Sequence, residues 1–293
     1  MKNFCYSFAF FLLSICLISP AHAQFKFPPP SSKSKLSTQV GFAQVEIEYE
    51  RPSARGRKIF GGLVPWNEVW RMGAGYCTRI RLSQEVQIGK QRVPTGSYSI
   101  HSIPNPTEWT IIINADTTLY GSYDYDVKKD VARFSVPVQE SARFYETFTI
   151  DIDVVPNNAR IYVSWANTSL NFELKTDTDE QQLTYIQEHL LSEKSQNADE
   201  YADAAGYLMY QGTNLRDALF LANKSAKIKG SGYAFRMQME LSEKFMLHED
   251  ALTAAKNGLE FAKVRELDDE KWRQPELDQW QAHIDRISAK LKN

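Results

Sequence analysis

Val45-Glu46-Ile47-Glu48-Tyr49-Glu50 sets an apolar side chain against a carboxylate at every step. Successive side chains of an extended chain point to opposite faces, so this pattern specifies a β-strand with one dry face and one wet face. The same reading extends outward to Thr78–Leu82, Val86–Ile88, 97–103, 109–113, 132–136, 147–154, 160–165 and 169–174. Turn chemistry separates these segments: Ile88-Gly89-Lys90, Pro94-Thr95-Gly96, Pro104-Asn105-Pro106 and Pro156-Asn157-Asn158. Short strands spaced this way, with no helical stretch between them, predict an antiparallel β-sandwich.

After Lys175 the hydrophobic period changes from two to about 3.6. Thr176-Asp177-Thr178-Asp179 reads as a polar hinge and helix N-cap, and 199–210, Leu215–Ile228, 233–245, 249–264 and 274–291 read as helices. Ala218, Ala222 and Ala226 recur about 33 residues later as Ala251 and Ala255, with Gly258 following. Small residues every four positions let helices approach closely, and the period resembles that of the tetratricopeptide repeat. The fold class expected is therefore α+β: a β-sandwich followed by a short tetratricopeptide-like helical array.

The amino terminus reads as an address. Met1-Lys2-Asn3 is a positive n-region, 4–18 an apolar h-region, and Pro20-Ala21-His22-Ala23 a small-x-small cleavage site before Gln24. The expected division is a signal peptide at 1–23, a flexible Pro/Ser-rich linker at 24–37, the sandwich at 38–175 and the helices at 176–293. An exported chain, periplasmic or extracellular, without a transmembrane segment after cleavage, is the consequence. Cleavage removes Lys2, moving the formal charge from −2 to −3, which argues against nucleic acid as a partner. It also removes Cys5 and Cys16, leaving Cys77 as a lone thiol best read as a small buried hydrophobe.

The segment from Tyr49 to Thr78 carries the candidate site. It holds Arg51, Arg55, Arg57, Lys58, Arg71, Trp66, Trp70, two prolines and five glycines, a composition that suits a shaped loop rather than a strand or helix. Guanidinium forks match carboxylates and phosphates, and tryptophan faces pack on sugars or cations. Arg51, Arg57, Trp66, Trp70, Arg71 and Asp130 are the candidate ligand-binding residues. The competing reading is that the arginines pair with Glu48, Glu50, Glu68 or Asp130 and brace the loop. The stretch 120–126 with Asp130 reads as a solvated turn whose tyrosines line a groove. Ser97, Ser99 and His101 share one face of a strand and read as solvent-facing, with neighbouring same-face residues about 7 Å apart and so too distant for a direct bond.

Metalloprotease, nucleophile-elbow, phosphate-loop and paired-cysteine zinc templates do not occur. No cofactor or metal is expected. Non-catalytic binding or assembly, with a protein or peptide partner on the helices and an anionic or glycan ligand at the loop, is the primary reading. The alternative is a glycan-binding module or hydrolase whose pocket the loop lines, with Glu68 or Asp130 as acid.

Tyr49-x-Arg51-Pro52-x-x-x-Gly56-Arg57-x-Ile59-Phe60-Gly61, then Leu63-Val64-Pro65, Val69-Trp70-Arg71-x-Gly73-Ala74 and Thr78, resembles the DUF2911 family. Gly89-Lys90, Pro94-x-Gly96-x-Tyr98-Ser99, Glu108-Trp109-Thr110, Asp130-Val131-x-Arg133 and Trp165 extend the likeness over roughly 38–175. The resemblance implies an exported protein of the Bacteroidetes type with a helical tail and no assigned activity. Members commonly place asparagine at Gly75, tyrosine-glycine at Trp66-Asn67 and an aromatic residue at His101.

Overall fold

The computed structural model describes residues 27–265 and 270–292. The signal peptide expected at 1–23 lies outside them. The chain divides into two compact units between Leu174 and Lys175.

The first unit is built from ten strands: β1 (Ser32–Val40), β2 (Ala43–Arg51), β3 (Thr78–Leu82), β4 (Val86–Ile88), β5 (Gln91–Val93), β6 (Gly96–Ile103), β7 (Glu108–Asn114), β8 (Asp130–Pro137), β9 (Gln139–Val155) and β10 (Asn158–Lys175). They form an antiparallel six-stranded sheet, β1-β2-β3-β6-β7-β8, and a four-stranded sheet, β5-β4-β10-β9. One core joins the sheets: Val45, Ile47, Ile80, Ile100 and Ile111 from the first meet Val86, Phe148, Ile161, Val163 and Leu170 from the second. The alternation at 45–50 works as expected, with Val45, Ile47 and Tyr49 buried and the glutamates facing outward.

The strands differ from the expectation in several places: β5 was not among those expected, and β9 begins at Gln139 rather than at 147. Residues 32–37, read as linker, form the first part of β1, which pairs along its full length with β2 from Ser32↔Arg51 to Val40↔Ala43. As an edge strand, β1 needs no continuous apolar face, and Lys33 and Lys35 guard it against further pairing. The segments 160–165 and 169–174 are one strand, β10, whose register slips around Ala166. Ala166 has φ 51°, and a bulge of this kind re-aims the adjacent side chains. It sits beside Trp165, which is buried to 1% exposure.

Tyr49 ties the layers together. Its hydroxyl donates to the Ile150 carbonyl at 3.0 Å and accepts from the Ile150 N–H at 2.9 Å. That closes two main-chain groups of β9 in a buried setting where an open group is costly.

The second unit contains α1 (Thr178–Tyr185), continued by a π-turn at Ile186–Leu190, then α2 (Ala198–Gln211), α3 (Leu215–Ile228), α4 (Gly232–Lys244), α5 (His248–Val264) and α6 (Arg273–Lys292). Consecutive helices from α2 to α6 pack pairwise, and α2 also meets α4. The α2–α3 hairpin recurs as α4–α5: helix starts move from Ala198 to Gly232 and from Leu215 to His248, offsets of 34 and 33 residues. The small residues lie where the helices approach. Ala218, Ala222, Ala251 and Ala255 are fully buried. Gly258 faces Trp280, whose ring lies 2.5 Å from where a β-carbon would stand. No helix among the described residues is long and apolar enough to cross a membrane.

Candidate ligand site

Between β2 and β3 the chain makes one long excursion, and its backbone is pinned on three sides. Ser53 bridges Thr147 of β9, Trp70 bridges Ser102 of β6, and Tyr76 bridges Tyr120. Trp70 exchanges two main-chain bonds with Ser102, at 2.7 and 2.8 Å. The loop therefore reaches both sheets.

Its conformation is unusual residue by residue. Arg55, Asn67 and Met72 join Gly56, Gly61 and Gly75 in positive-φ geometry. A bulky residue such as Met72 at φ 49°, fully buried, holds that angle only when its surroundings impose it, and such positions gather at functional loops. Gly61 needs glycine twice over: its φ is +71°, and a β-carbon there would lie 2.1 Å from the Trp66 indole nitrogen.

Beneath the loop lies an aromatic cluster. Trp70 stacks on Trp165 with centroids 5.8 Å apart, and Phe60, Trp109 and Phe148 contact the pair edge-on. Trp165 Nε1 donates to the Glu146 carbonyl at 3.3 Å. Above this floor opens a cavity of about 400 Å³, lined among others by Arg55, Arg57, Arg71, Glu68, Trp70, Trp165, Ser122 and Tyr123.

The candidate residues separate into two groups. Arg57, Trp70 and Arg71 line the cavity; Arg51, Trp66 and Asp130 do not. Arg51 is a brace, donating through Nε to the Phe148 carbonyl at 3.1 Å and through Nη2 to Thr149 Oγ1 at 3.0 Å. Trp66 lies on Phe60, centroids 5.9 Å apart, and shields the cluster. Asp130 is saturated by Asn114 Nδ2 at 2.8 Å, the Tyr125 hydroxyl at 2.6 Å and Arg133 Nη1 at 3.1 Å. Burial of Tyr125 and its bond to Asp130 hold the phenol well above the usual range.

The bracing reading expected arginine–carboxylate pairs, and the structure corrects it. Arg57 donates to the carbonyls of Ala54 and Ser53, at 3.0 and 2.6 Å, and Arg55 to that of Pro30 at 2.8 Å. Among the described residues, none of Arg55, Arg57 and Arg71 forms an ion pair. Arg71 Nε is buried without a hydrogen-bond partner. Three cations therefore line one cavity without an ion pair among the described residues, and Glu68 lines it with them. Arg55 and Tyr123 are contributors that sequence reasoning did not select. Arg55 sits in the same arginine-rich run, and Tyr123 belongs to the acidic-aromatic turn assigned a groove.

His101 overturns a second expectation. It is fully buried rather than solvent-facing, and its Nδ1 lies 3.3 Å from Ser99 Oγ, a contact excluded by strand spacing alone. Side-chain rotamers close the gap that the backbone leaves. The segment after β7 explains the burial: Tyr125 stands 5.5 Å from the imidazole, and Leu119 accepts from the Cys77 N–H at 3.0 Å. Burial lowers the His101 pKa to about 4, against weaker opposition from the Gly121 backbone and the charges of Asp130 and Asp116. Held neutral by burial, the imidazole is a weak base. Cys77 is buried too, and burial pushes its thiol up, away from nucleophilic use.

The sandwich and this loop are where comparison with known proteins bears. The family described as protein of unknown function (DUF2911) matches residues 31–174. The chain belongs to the DUF2911 family. The matched span begins one residue before β1 and ends one residue before β10 does, so it takes in the whole sandwich with the loop. No curated protein and no solved structure matches the chain. Gly75 has φ +59°, and the Glu50 carboxylate packs where a side chain would project.

Proposed function

We propose that the DUF2911 unit is a non-catalytic binding module whose loop cavity takes a small anionic ligand. The observation that carries this reading is the convergence of Arg55, Arg57 and Arg71, none of them ion-paired, over the Trp70–Trp165 floor. Guanidinium groups without ion-pair partners, lining a cavity floored by tryptophan, supply strong, directional donors for a carboxylate, phosphate or sulfate. The hydrolase alternative is weaker, because Glu68 is the one carboxylate in the cavity lining and Asp130 is occupied elsewhere.

A thermal-shift series with phosphate, citrate and glucuronate tests the reading. At a hundredfold excess over Kd, a ligand of the native state adds about 2.7 kcal/mol, or about 5–10 °C for a unit of this size. Arg71→Ala should leave the unliganded melting temperature within about 2 °C of wild type, because Arg71 forms no ion pair there. It should abolish the ligand-induced rise. A rise that survives in Arg71→Ala places the ligand elsewhere.

The helical unit supports a second interaction. Tyr210 and Met246 stand 79% and 78% exposed, each near the carboxyl end of the first helix of a hairpin. We assign that tetratricopeptide-like edge to a protein or peptide partner. A photo-crosslinker at Tyr210 or Met246 should trap one discrete adduct in cells, and a ladder or none would count against a partner. Residues 1–23 are assigned to export into the periplasm or the extracellular space; the intact mass of the secreted chain should begin at Gln24, and retention of Met1 would exclude cleavage.

A further inference from the structure

Three exposed tyrosines, Tyr123, Tyr120 and Tyr76, stand beside the cavity. Tyr123 lines the cavity and is 84% exposed; its ring lies 2.8 Å from where a β-carbon of Gly121 would stand, with Arg71 Nη1 3.2 Å from the same point. Gly121 has φ +78°, so this close approach of ring, guanidinium and backbone depends on glycine. On its other side, Tyr120 pairs with Tyr76, rings 5.2 Å apart and exposed to 63% and 57%. Three tyrosines this exposed, gathered on one surface, are not core residues. Tyr76 in turn borders a second depression of about 510 Å³ that holds Lys33, Lys35 and Arg79 against Glu48 and Glu50. Lys35 and Arg79 are already engaged by carboxylates of β2, at 3.1 Å to Glu46 and 2.8 Å to Glu48. Lys33 has no carboxylate partner among the described residues.

Resting on the anion-site reading, we propose that the ligand is an acidic oligosaccharide. It would run from the arginine cavity across Tyr123, Tyr120 and Tyr76 to the lysine depression. A carboxylated sugar supplies both chemistries that this track presents. Its anionic group meets a guanidinium fork, and the C–H face of its ring packs on the electron-rich face of a tyrosine. Alternation of cations with aromatic rings also suits single-stranded nucleic acid. An oligonucleotide titrated alongside the glycans separates the two occupants.

The test is titration calorimetry of the full mature chain with glucuronate, with oligogalacturonates of rising length, with neutral gluco-oligosaccharides and with a single-stranded oligonucleotide. The expected result is that a tetramer or longer oligogalacturonate binds at least about tenfold tighter than the monosaccharide. Tyr76→Ala with Tyr120→Ala should remove that gain and leave monosaccharide affinity unchanged, since neither residue lines the cavity. Arg71→Lys should weaken both. Equal affinity for monomer and oligomer would overturn the extended track while leaving the anion site standing. Tighter binding of the neutral glycan or of the oligonucleotide would overturn the acidic-glycan assignment, and absence of binding by every anion would overturn both.

Discussion

Trp165→Ala will lower the stability of the β-sandwich by about 3–5 kcal/mol. Trp165 is 1% exposed, stacks on Trp70 and meets Phe60 and Phe148. Truncation removes the floor of the cavity from the inside and leaves a void that sheet backbones cannot close. It also removes the indole donor to the Glu146 carbonyl, which keeps its bond from the Ala54 N–H at 2.7 Å. Equilibrium denaturation of the wild type and the variant checks the magnitude. A loss below about 1 kcal/mol would mean that the aromatic cluster is plastic and does not set the loop's position. Trp66→Ala should cost less, because Trp66 is only half-buried and covers the cluster from outside.

The second large effect is a dependence on pH. The His101 pKa falls from 6.5 to about 4 on folding, so below 6.5 the unfolded chain binds a proton that the folded chain refuses. The stability contributed by the neutral, buried imidazole is thus complete above pH 6.5, declines as the pH falls towards 4, and is level below that. The total is about 3 kcal/mol, because each pH unit between the two values changes the folding free energy by about 1.4 kcal/mol. Comparison with His101→Phe isolates this part from the carboxylates. The difference in unfolding free energy between the two proteins should grow in favour of the variant between pH 6.5 and 4. A difference that does not change over this window would show that His101 is protonated in the folded state, with Asp130 and Asp116 compensating its burial.

His101 also shows where sequence reading stops. Alternation placed it correctly on the outer face of β6, opposite the core. Alternation carries no information about whether a remote segment covers that face, and here the chain after β7 returns over it. The helices α2 to α6 were legible almost to the residue, because an amphipathic period and small residues at approach points are local signals, and the expected 215–228 matches α3 fully; α1 was not among the expected helices. The strand β1 was not, because an edge strand is held by main-chain bonds to β2 and its side chains need no pattern. The bulge at Ala166 is similarly silent, splitting one strand into two apparent ones.

At the candidate site, composition singled out the loop that lines the cavity but could not say which of its arginines line it. Arg51 and Arg57 are equivalent as letters. One crosses to β9 and is consumed by Phe148 and Thr149, whereas the other folds back on the carbonyls of Ala54 and Ser53 and lines the cavity. Asp130 carried a charge suited to catalysis, and only the fold shows its oxygens filled by Asn114, Tyr125 and Arg133. Tyr123 reaches the cavity from the turn beyond β7, far from Arg71 in sequence, a proximity that the bridge between Tyr76 and Tyr120 creates.

Joint capture of an anion by Arg55, Arg57 and Arg71 is tested most directly by the salt dependence of glucuronate affinity, measured by titration calorimetry. Affinity should fall as sodium chloride rises, and the slope should flatten in each of Arg55→Gln, Arg57→Gln and Arg71→Gln, with melting temperatures recorded alongside to confirm folding. Affinity that is indifferent to salt, or that all three variants retain, would contradict it.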